Sequence, residues 1–118
     1  MYRAKLVLVD AVGGALSSIA AAVARAHGRS DVVAATSSEL AEIPAEVHAV
    51  LEEIGLLAEP VISLDRKDRE GESLQVIDET WGAKLWSGEG ELERLSNARI
   101  ARDRIERRVR AMIEGPAG

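Results

Sequence analysis

The chain has 118 residues, enough for one domain with its own hydrophobic core and too few for two. Apolar residues make up 47% of the chain but aromatic residues only 3%, so the core has to be built from Ala, Val, Leu and Ile. The formal charge of -5 argues against nucleic acid as a partner. No apolar run approaches the roughly 18 residues of a membrane-spanning helix, so we expect no membrane interaction.

The chain contains no cysteine. Disulfides, thiolate metal sites and every mechanism with a sulfur nucleophile are therefore excluded. The apolar stretch near the start, from Leu6 to Val9, is too short for a secretory signal. We expect a cytoplasmic protein that forms a single domain over residues 1–118.

The first half of the chain predicts alternating strands and helices. Ala4 to Val9 is a short apolar run, as in a strand buried on both faces of a parallel sheet. A glycine-containing loop follows, and then Ser17 and Ser18, which we expect to cap a helix that ends at Gly28. Residues 31–36 predict the second strand.

A second helix is predicted to begin at Pro44 and to end at Gly55. Residues 60–64 are compatible with a strand or with an extended segment. Residues 74–77 predict the third strand and residues 83–86 a short fourth one.

Apolar residues recur every three or four positions from Leu92 to Met112, which predicts a helix from about Glu91 to Ile113. Residues 94–110 hold seven arginines against Asp103 and Glu106, mostly off this apolar stripe. We expect these arginines to be solvated and paired with acidic side chains, the alternative being a surface for an acidic or phosphate-bearing ligand. The alternation of strands and helices predicts a three-layer α/β/α fold with a four-stranded, mainly parallel sheet.

The first strand, its loop and its helix resemble those of the low-molecular-weight protein tyrosine phosphatases and the related arsenate reductases. The signature of that family places Cys after the first strand, then five residues, then Arg and Ser or Thr. Here the same spacing gives Asp10, the five residues 11–15, then Leu16 and Ser17. Residues 47–55 and 102–109 resemble the second and closing helices of the family. The resemblance covers most of the chain and implies a phosphotyrosine protein phosphatase I-like fold with strand order 2-1-3-4.

The resemblance implies a catalytic thiolate, an arginine that holds the oxyanion and an Asp-Pro general acid, and this chain has none of the three. Asp10 stands in the position of the thiolate, Leu16 in that of the arginine, and no Asp-Pro dipeptide occurs. We therefore expect no catalytic residue, no cofactor, and a vestigial loop made of Asp10, Gly13, Gly14, Leu16 and Ser17.

An ionised Asp10 is expected to fill the anion site of this loop from within. The amides around Gly13 and Gly14 lie at a helix N-terminus, which favours a negative charge. The carboxylate would also repel a phosphate, by roughly 4 kcal/mol for two unit charges about 4 Å apart at an effective dielectric constant near 20.

Two further functions remain open from the sequence. One is a hydrolase or phosphotransferase rebuilt around Asp10 and Ser17, with Asp78 as a partner: under the family's strand order both aspartates lie at the carboxyl ends of adjacent strands and could hold Mg²⁺. However, Val12 stands where an Asp-x-Asp site needs its second acid. The other is binding of a small anion without chemistry, with the following ligand-binding residues: Gly13, Gly14, Ser17 and Ser18.

The remaining candidate residues favour structural roles. His27 and His48 have no metal-ligating partners at suitable spacing. Trp81 and Trp86 are expected to pack at a sheet edge, or to anchor a partner. Our leading interpretation is a non-catalytic phosphatase-like domain that acts as a protein-interaction or regulatory module, with another protein or a second copy of itself.

Overall fold

A computed structural model describes residues 6–39, 42–63, 73–77 and 90–114. Four short strands form one parallel sheet in the order β3-β2-β1-β4. The strands are β1 (Leu6–Asp10), β2 (Val32–Thr36), β3 (Val61–Ser63) and β4 (Ser73–Val76). Val9 of β1 pairs with Ala35 on one side and with Val76 on the other.

The sheet confirms the α/β fold and the central position of the first strand. β1 lies between β2 and β4, which is the neighbour relation predicted for the first three strands. β3, the segment left open as strand or extended, pairs with the outer side of β2. The predicted strand over residues 83–86 lies outside the described residues.

Three helices complete the described fold: α1 (Ala15–Ala26), α2 (Ala45–Glu52) and α3 (Glu91–Glu114). All three correspond to predicted helices. The prediction that Ser17 and Ser18 cap α1 is wrong, because the helix begins at Ala15 and places both serines inside it. None of the described helices is long and apolar enough to cross a bilayer.

The two faces of the sheet carry separate apolar clusters, because successive side chains of a strand point to opposite sides. Leu6 and Leu8 share one core with buried residues of all three helices. Val7 and Val9 join Ala35 in a smaller buried cluster on the other face. All three predicted helices contribute to the first cluster, and the second cluster contains no residue of a described helix, so the described residues do not show the helical layer predicted for this second face.

A buried arginine joins α3 to the end of α2. Arg102 is only 9% exposed, and its guanidinium donates hydrogen bonds to the Val50 carbonyl oxygen at 2.8 Å and to Glu53 Oε1 at 2.7 Å. Arg99, which is more exposed, donates to both carboxylate oxygens of Glu53. Arg94 pairs with Glu46 at the other end of α2. The expected pairing of the α3 arginines with acidic groups is confirmed for these residues, and the burial of Arg102 was not foreseen.

The Glu53 carboxylate makes the stability of the fold depend on pH in the acid range. Hydrogen bonds from Arg99, and then from Arg102, lower the pKa of Glu53 from 4.5 to about 2. A lowered pKa in the folded state stabilises the fold above the pKa of the unfolded state, and this contribution is lost as the pH falls from about 4.5 to 2. In urea titrations we expect Glu53→Gln to lose part of the pH dependence that the wild type shows in this window.

The control for this experiment is Glu52→Gln, which removes an exposed carboxylate one residue away. This variant should retain the wild-type pH dependence. Parallel pH profiles for both variants would contradict the role of Glu53.

Candidate functional site

The candidate site is the loop between β1 and α1. The loop begins at the carboxyl end of β1, an interior strand of the parallel sheet. Open α/β folds bind their ligands at this edge of the sheet. Gly13 and Gly14 have φ values of 87° and 107°, and this left-handed geometry curls the chain so that several amide groups point inward. The first turn of α1 contributes further amides to the same space.

The Asp10 side chain fills this ring of amides. Its Oδ1 accepts hydrogen bonds from the amides of Val12 at 3.0 Å and Gly14 at 2.9 Å. Its Oδ2 accepts from the amides of Leu16 at 3.0 Å and Ser17 at 2.8 Å. A carboxylate offers about four acceptor positions, so all of them are used. The expectation that Asp10 occupies its own loop is confirmed by these contacts, and the residue is only 1% exposed.

The same carboxylate caps α1, which is why the serines do not. Leu16 and Ser17 are the second and third residues of the helix, and their amides are the ones that an N-cap side chain usually satisfies. Gly14 holds the N-cap position and has no side chain to offer, so Asp10 supplies the acceptor from upstream.

The serine hydroxyls are buried and directed at backbone carbonyls. Ser17 Oγ lies 3.4 Å from the Gly14 carbonyl oxygen, and Ser18 Oγ donates to the Glu59 carbonyl oxygen at 2.8 Å. Among the described residues, neither hydroxyl donates a hydrogen bond to the Asp10 carboxylate; each is directed at a carbonyl oxygen instead.

Thr36 fixes the loop from the neighbouring strand. It is buried and lies opposite Asp10 in the pairing of β1 with β2. Its Oγ1 accepts a hydrogen bond from the Gly13 amide at 3.1 Å and donates to the Asp10 carbonyl oxygen at 3.2 Å. The Glu42 amide holds the opposite side of the loop by donating to the Gly13 carbonyl oxygen at 2.8 Å. Thr36 was not predicted from the sequence, although a threonine at the end of the strand beside β1 was a usable signal.

Val61 packs tightly over the loop. A Cβ atom built on Gly14 would lie 2.7 and 2.8 Å from the two methyl carbons of Val61. Such distances are shorter than van der Waals contact between carbon atoms. Gly14 therefore provides both a left-handed backbone and the space that β3 needs to approach.

Leu16 supplies no cation to the loop. It is buried and belongs to the main hydrophobic core, together with residues of all three helices. The position that holds arginine in the resembled family is thus a core position here. Among the described residues, Asp10 is the one charged side chain that hydrogen-bonds to the amides of the loop.

The other candidate residues are not brought into this site. Asp78, the proposed metal partner of Asp10, lies outside the described residues, as do Trp81 and Trp86. His27 and His48 are exposed, the former at the end of α1. In the described part of the chain, no three His, Asp or Glu residues are placed to hold a metal ion.

The fold is similar to solved phosphatase-related structures over nearly the whole chain. A structure of an arsenate reductase in the phosphate binding state matches with a TM-score of 0.64 and 16% identity, covering 94% of this chain and 97% of that one. The low-molecular-weight protein tyrosine phosphatase from T. tengcongensis matches with a TM-score of 0.66 and 15% identity, covering 94% and 98%. The YwlE arginine phosphatase from Geobacillus stearothermophilus matches with a TM-score of 0.60 and 16% identity, covering 93% and 91%.

No protein-family model matches the sequence, and no curated protein matches it either. The structural matches define the fold, which is that of the low-molecular-weight phosphatases and arsenate reductases. The resemblance inferred from the loop and helices is therefore confirmed at the level of the fold.

Proposed function

We propose that this chain is a catalytically silent phosphatase-like domain that acts as a protein-interaction or regulatory module in the cytoplasm. The observation that carries the proposal is the set of four amide hydrogen bonds to the Asp10 carboxylate. In this fold the corresponding amides would hold the oxyanion of a substrate. Here a side chain of the protein itself has taken that place.

The electrostatics of the loop oppose binding of a phosphate. The amides lie at the N-terminus of α1, so they stabilise one negative charge, and Asp10 supplies it. A phosphate would have to displace the carboxylate from four hydrogen bonds and would meet its charge at close range, which opposes binding by roughly 4 kcal/mol. The native loop is therefore a poor anion site, which also disfavours small-anion binding without chemistry.

The geometry equally disfavours a rebuilt enzyme site on Asp10. As nucleophile, the carboxylate would have to be reached by a phosphoryl donor, but it is almost fully buried. As a ligand for Mg²⁺, it would have to give up amide hydrogen bonds, since both oxygens already accept two. Ser17, the other nucleophile considered, has its hydroxyl buried beside a backbone carbonyl.

The test is an assay of aryl phosphate hydrolysis with and without Mg²⁺, comparing the wild type with Asp10→Asn. We expect no turnover above buffer in either protein. Turnover by the wild type that is lost in Asp10→Asn would overturn the proposal and establish an enzyme based on the aspartate.

A double variant, Asp10→Cys with Leu16→Arg, measures how much of the family's site the fold retains. It restores the residue types of the thiolate and the arginine, yet we expect at most trace turnover. One reason is that Leu16 is a core position, and the other is that the chain contains no Asp-Pro dipeptide. Circular dichroism of the variant has to show native helix content for the assay to count.

A further inference from the structure

Residues 56–61 run from the turn after α2 to the first residue of β3, and we call this segment the strap. Ser18 Oγ donates a hydrogen bond to the backbone carbonyl oxygen of Glu59 at 2.8 Å. Further along α1, Arg25 Nε lies 2.9 Å from Glu59 Oε1. One residue of the strap is therefore fastened to α1 through both its backbone and its side chain.

The Arg25 guanidinium is itself anchored on the side away from the strap. It donates hydrogen bonds to the Ser30 carbonyl oxygen at 3.1 Å and to the Val32 carbonyl oxygen at 2.9 Å. A planar guanidinium whose other donors are occupied cannot follow the motion of one carboxylate. The ion pair therefore fixes Glu59 relative to both α1 and the start of β2.

The strap needs this fastening because β3 makes few hydrogen bonds of its own. β3 has three residues, and its pairing in the described sheet is with β2. Pro60, which precedes it, has no backbone N–H to donate. The residue before a proline is restricted to extended conformations, so Glu59 sets the direction in which the chain enters β3.

The strap ends on the loop that holds Asp10. The two methyl carbons of Val61 lie 2.7 and 2.8 Å from the position that a Cβ on Gly14 would take, so this valine packs directly on the Gly14 backbone. Gly14 is the N-cap of α1, and its amide donates to Asp10 Oδ1. A continuous chain of contacts thus runs from Glu59 through Val61 and Gly14 to the Asp10 carboxylate.

We infer that the strap is a conformational clamp on the Asp10 loop, and that Ser18 and Arg25 are the positioning residues that keep the clamp closed by holding Glu59. When the strap is released, Gly14 gains freedom, and the loop amides separate from the carboxylate while the sheet stays folded. The clamp goes beyond the proposed silence of the domain, because it concerns how the loop opens, whatever chemistry the loop has.

Amide hydrogen exchange followed by NMR tests the inference residue by residue. Ser18→Ala removes the hydroxyl that holds the Glu59 carbonyl, and we expect the protection of the Gly14 and Leu16 amides to fall about tenfold. Glu59→Ala removes the ion pair but keeps the carbonyl, and it should lower the same protection about threefold, since a partly exposed pair contributes less. The amides of β1, between β2 and β4, should keep their wild-type protection in both variants.

The matched control is Asp31→Ala. It breaks the ion pair in which Arg29 Nε lies 2.8 Å from Asp31 Oδ1, and the Asp31 side chain is 19% exposed, compared with 20% for Glu59. This pair lies in the turn before β2 and belongs to a different part of the surface from the strap. The Gly14 and Leu16 amides should keep their wild-type protection in this variant.

Two results would overturn the inference. The first is a fall in protection that is equal in the loop and in β1, because the variants would then only destabilise the whole fold. The second is unchanged protection of Gly14 in both Ser18→Ala and Glu59→Ala, because the pairing of β3 with β2 would then hold Val61 without α1. Neither result bears on aryl phosphate hydrolysis, so a failure of the clamp is distinguishable from a failure of the proposed silence.

Discussion

Replacing Asp10 by alanine is expected to lower the free energy of unfolding by about 3 to 5 kcal/mol at neutral pH. The substitution leaves the amides of Val12, Gly14, Leu16 and Ser17 without their acceptor. Three of these four residues are themselves buried. The first turn of α1 also loses its cap and the negative charge at its positive end, each of which contributes about 1 kcal/mol in other helices.

Asparagine at this position separates hydrogen bonding from charge. Asp10→Asn keeps the shape of the side chain and one oxygen acceptor, but its NH₂ group must face two amide donors. We therefore expect Asp10→Asn to lower the free energy of unfolding by more than half as much as Asp10→Ala does. Urea denaturation measures both changes, provided that the free energy of unfolding falls with urea concentration at the same slope in the variants as in the wild type.

The control is Glu52→Ala, which removes an exposed carboxylate outside the loop and should change stability by no more than about 0.5 kcal/mol. An Asp10→Ala protein as stable as this control would mean that the four hydrogen bonds contribute nothing, and the view of a loop filled by its own carboxylate would fail.

Inorganic phosphate is expected to stabilise the Asp10→Ala protein. With the carboxylate gone, the loop amides are free to hold an oxyanion, which stabilises only the folded state. At a ligand concentration 100 times the dissociation constant this effect reaches about 2.7 kcal/mol. We expect inorganic phosphate to raise the unfolding temperature of Asp10→Ala more than that of the wild type or of Glu52→Ala. Equal shifts in all three proteins would show that the loop has no latent anion site.

The sequence specified the loop better than it specified the helix that follows it. Asp10, Gly13 and Gly14 together predicted a carboxylate among inward amides, because glycine geometry and a helix N-terminus are local features. The prediction that Ser17 and Ser18 cap α1 was wrong. It relied on the usual pattern, in which the residue just before the helix supplies the capping side chain. The acceptor here reaches the first turn from Asp10, across the intervening loop.

Features that depend on neighbouring strands and helices were beyond the reach of sequence patterns. β3 has only three residues, and its pairing with β2 is what distinguishes it from an extended segment. Thr36 acquires its role only because the register sets it opposite Asp10. Arg102 is buried because α3 crosses the end of α2, where the Val50 carbonyl and Glu53 accept its hydrogen bonds.

Gly14→Ala is expected to destabilise the fold by about 3 kcal/mol, through two separable effects. The first is backbone strain, because a φ of 107° is unfavourable for any residue with a Cβ. The second is a clash, because the new Cβ would lie 2.7 Å from a methyl carbon of Val61. Val61 is β-branched and belongs to a strand paired with β2, so it cannot rotate or withdraw easily.

Gly28→Ala isolates the backbone effect, since Gly28 has a φ of 98° and no atom within 4 Å of its Cβ position. It should cost about 1 to 2 kcal/mol in urea denaturation, distinctly less than Gly14→Ala. The clash is isolated by a double-mutant cycle with Val61→Ala: in that background Gly14→Ala should cost no more than Gly28→Ala does in the wild type. If Gly14→Ala is equally harmful with valine or alanine at position 61, then Val61 of β3 does not pack against Gly14, and the clash is not a cause of the destabilisation.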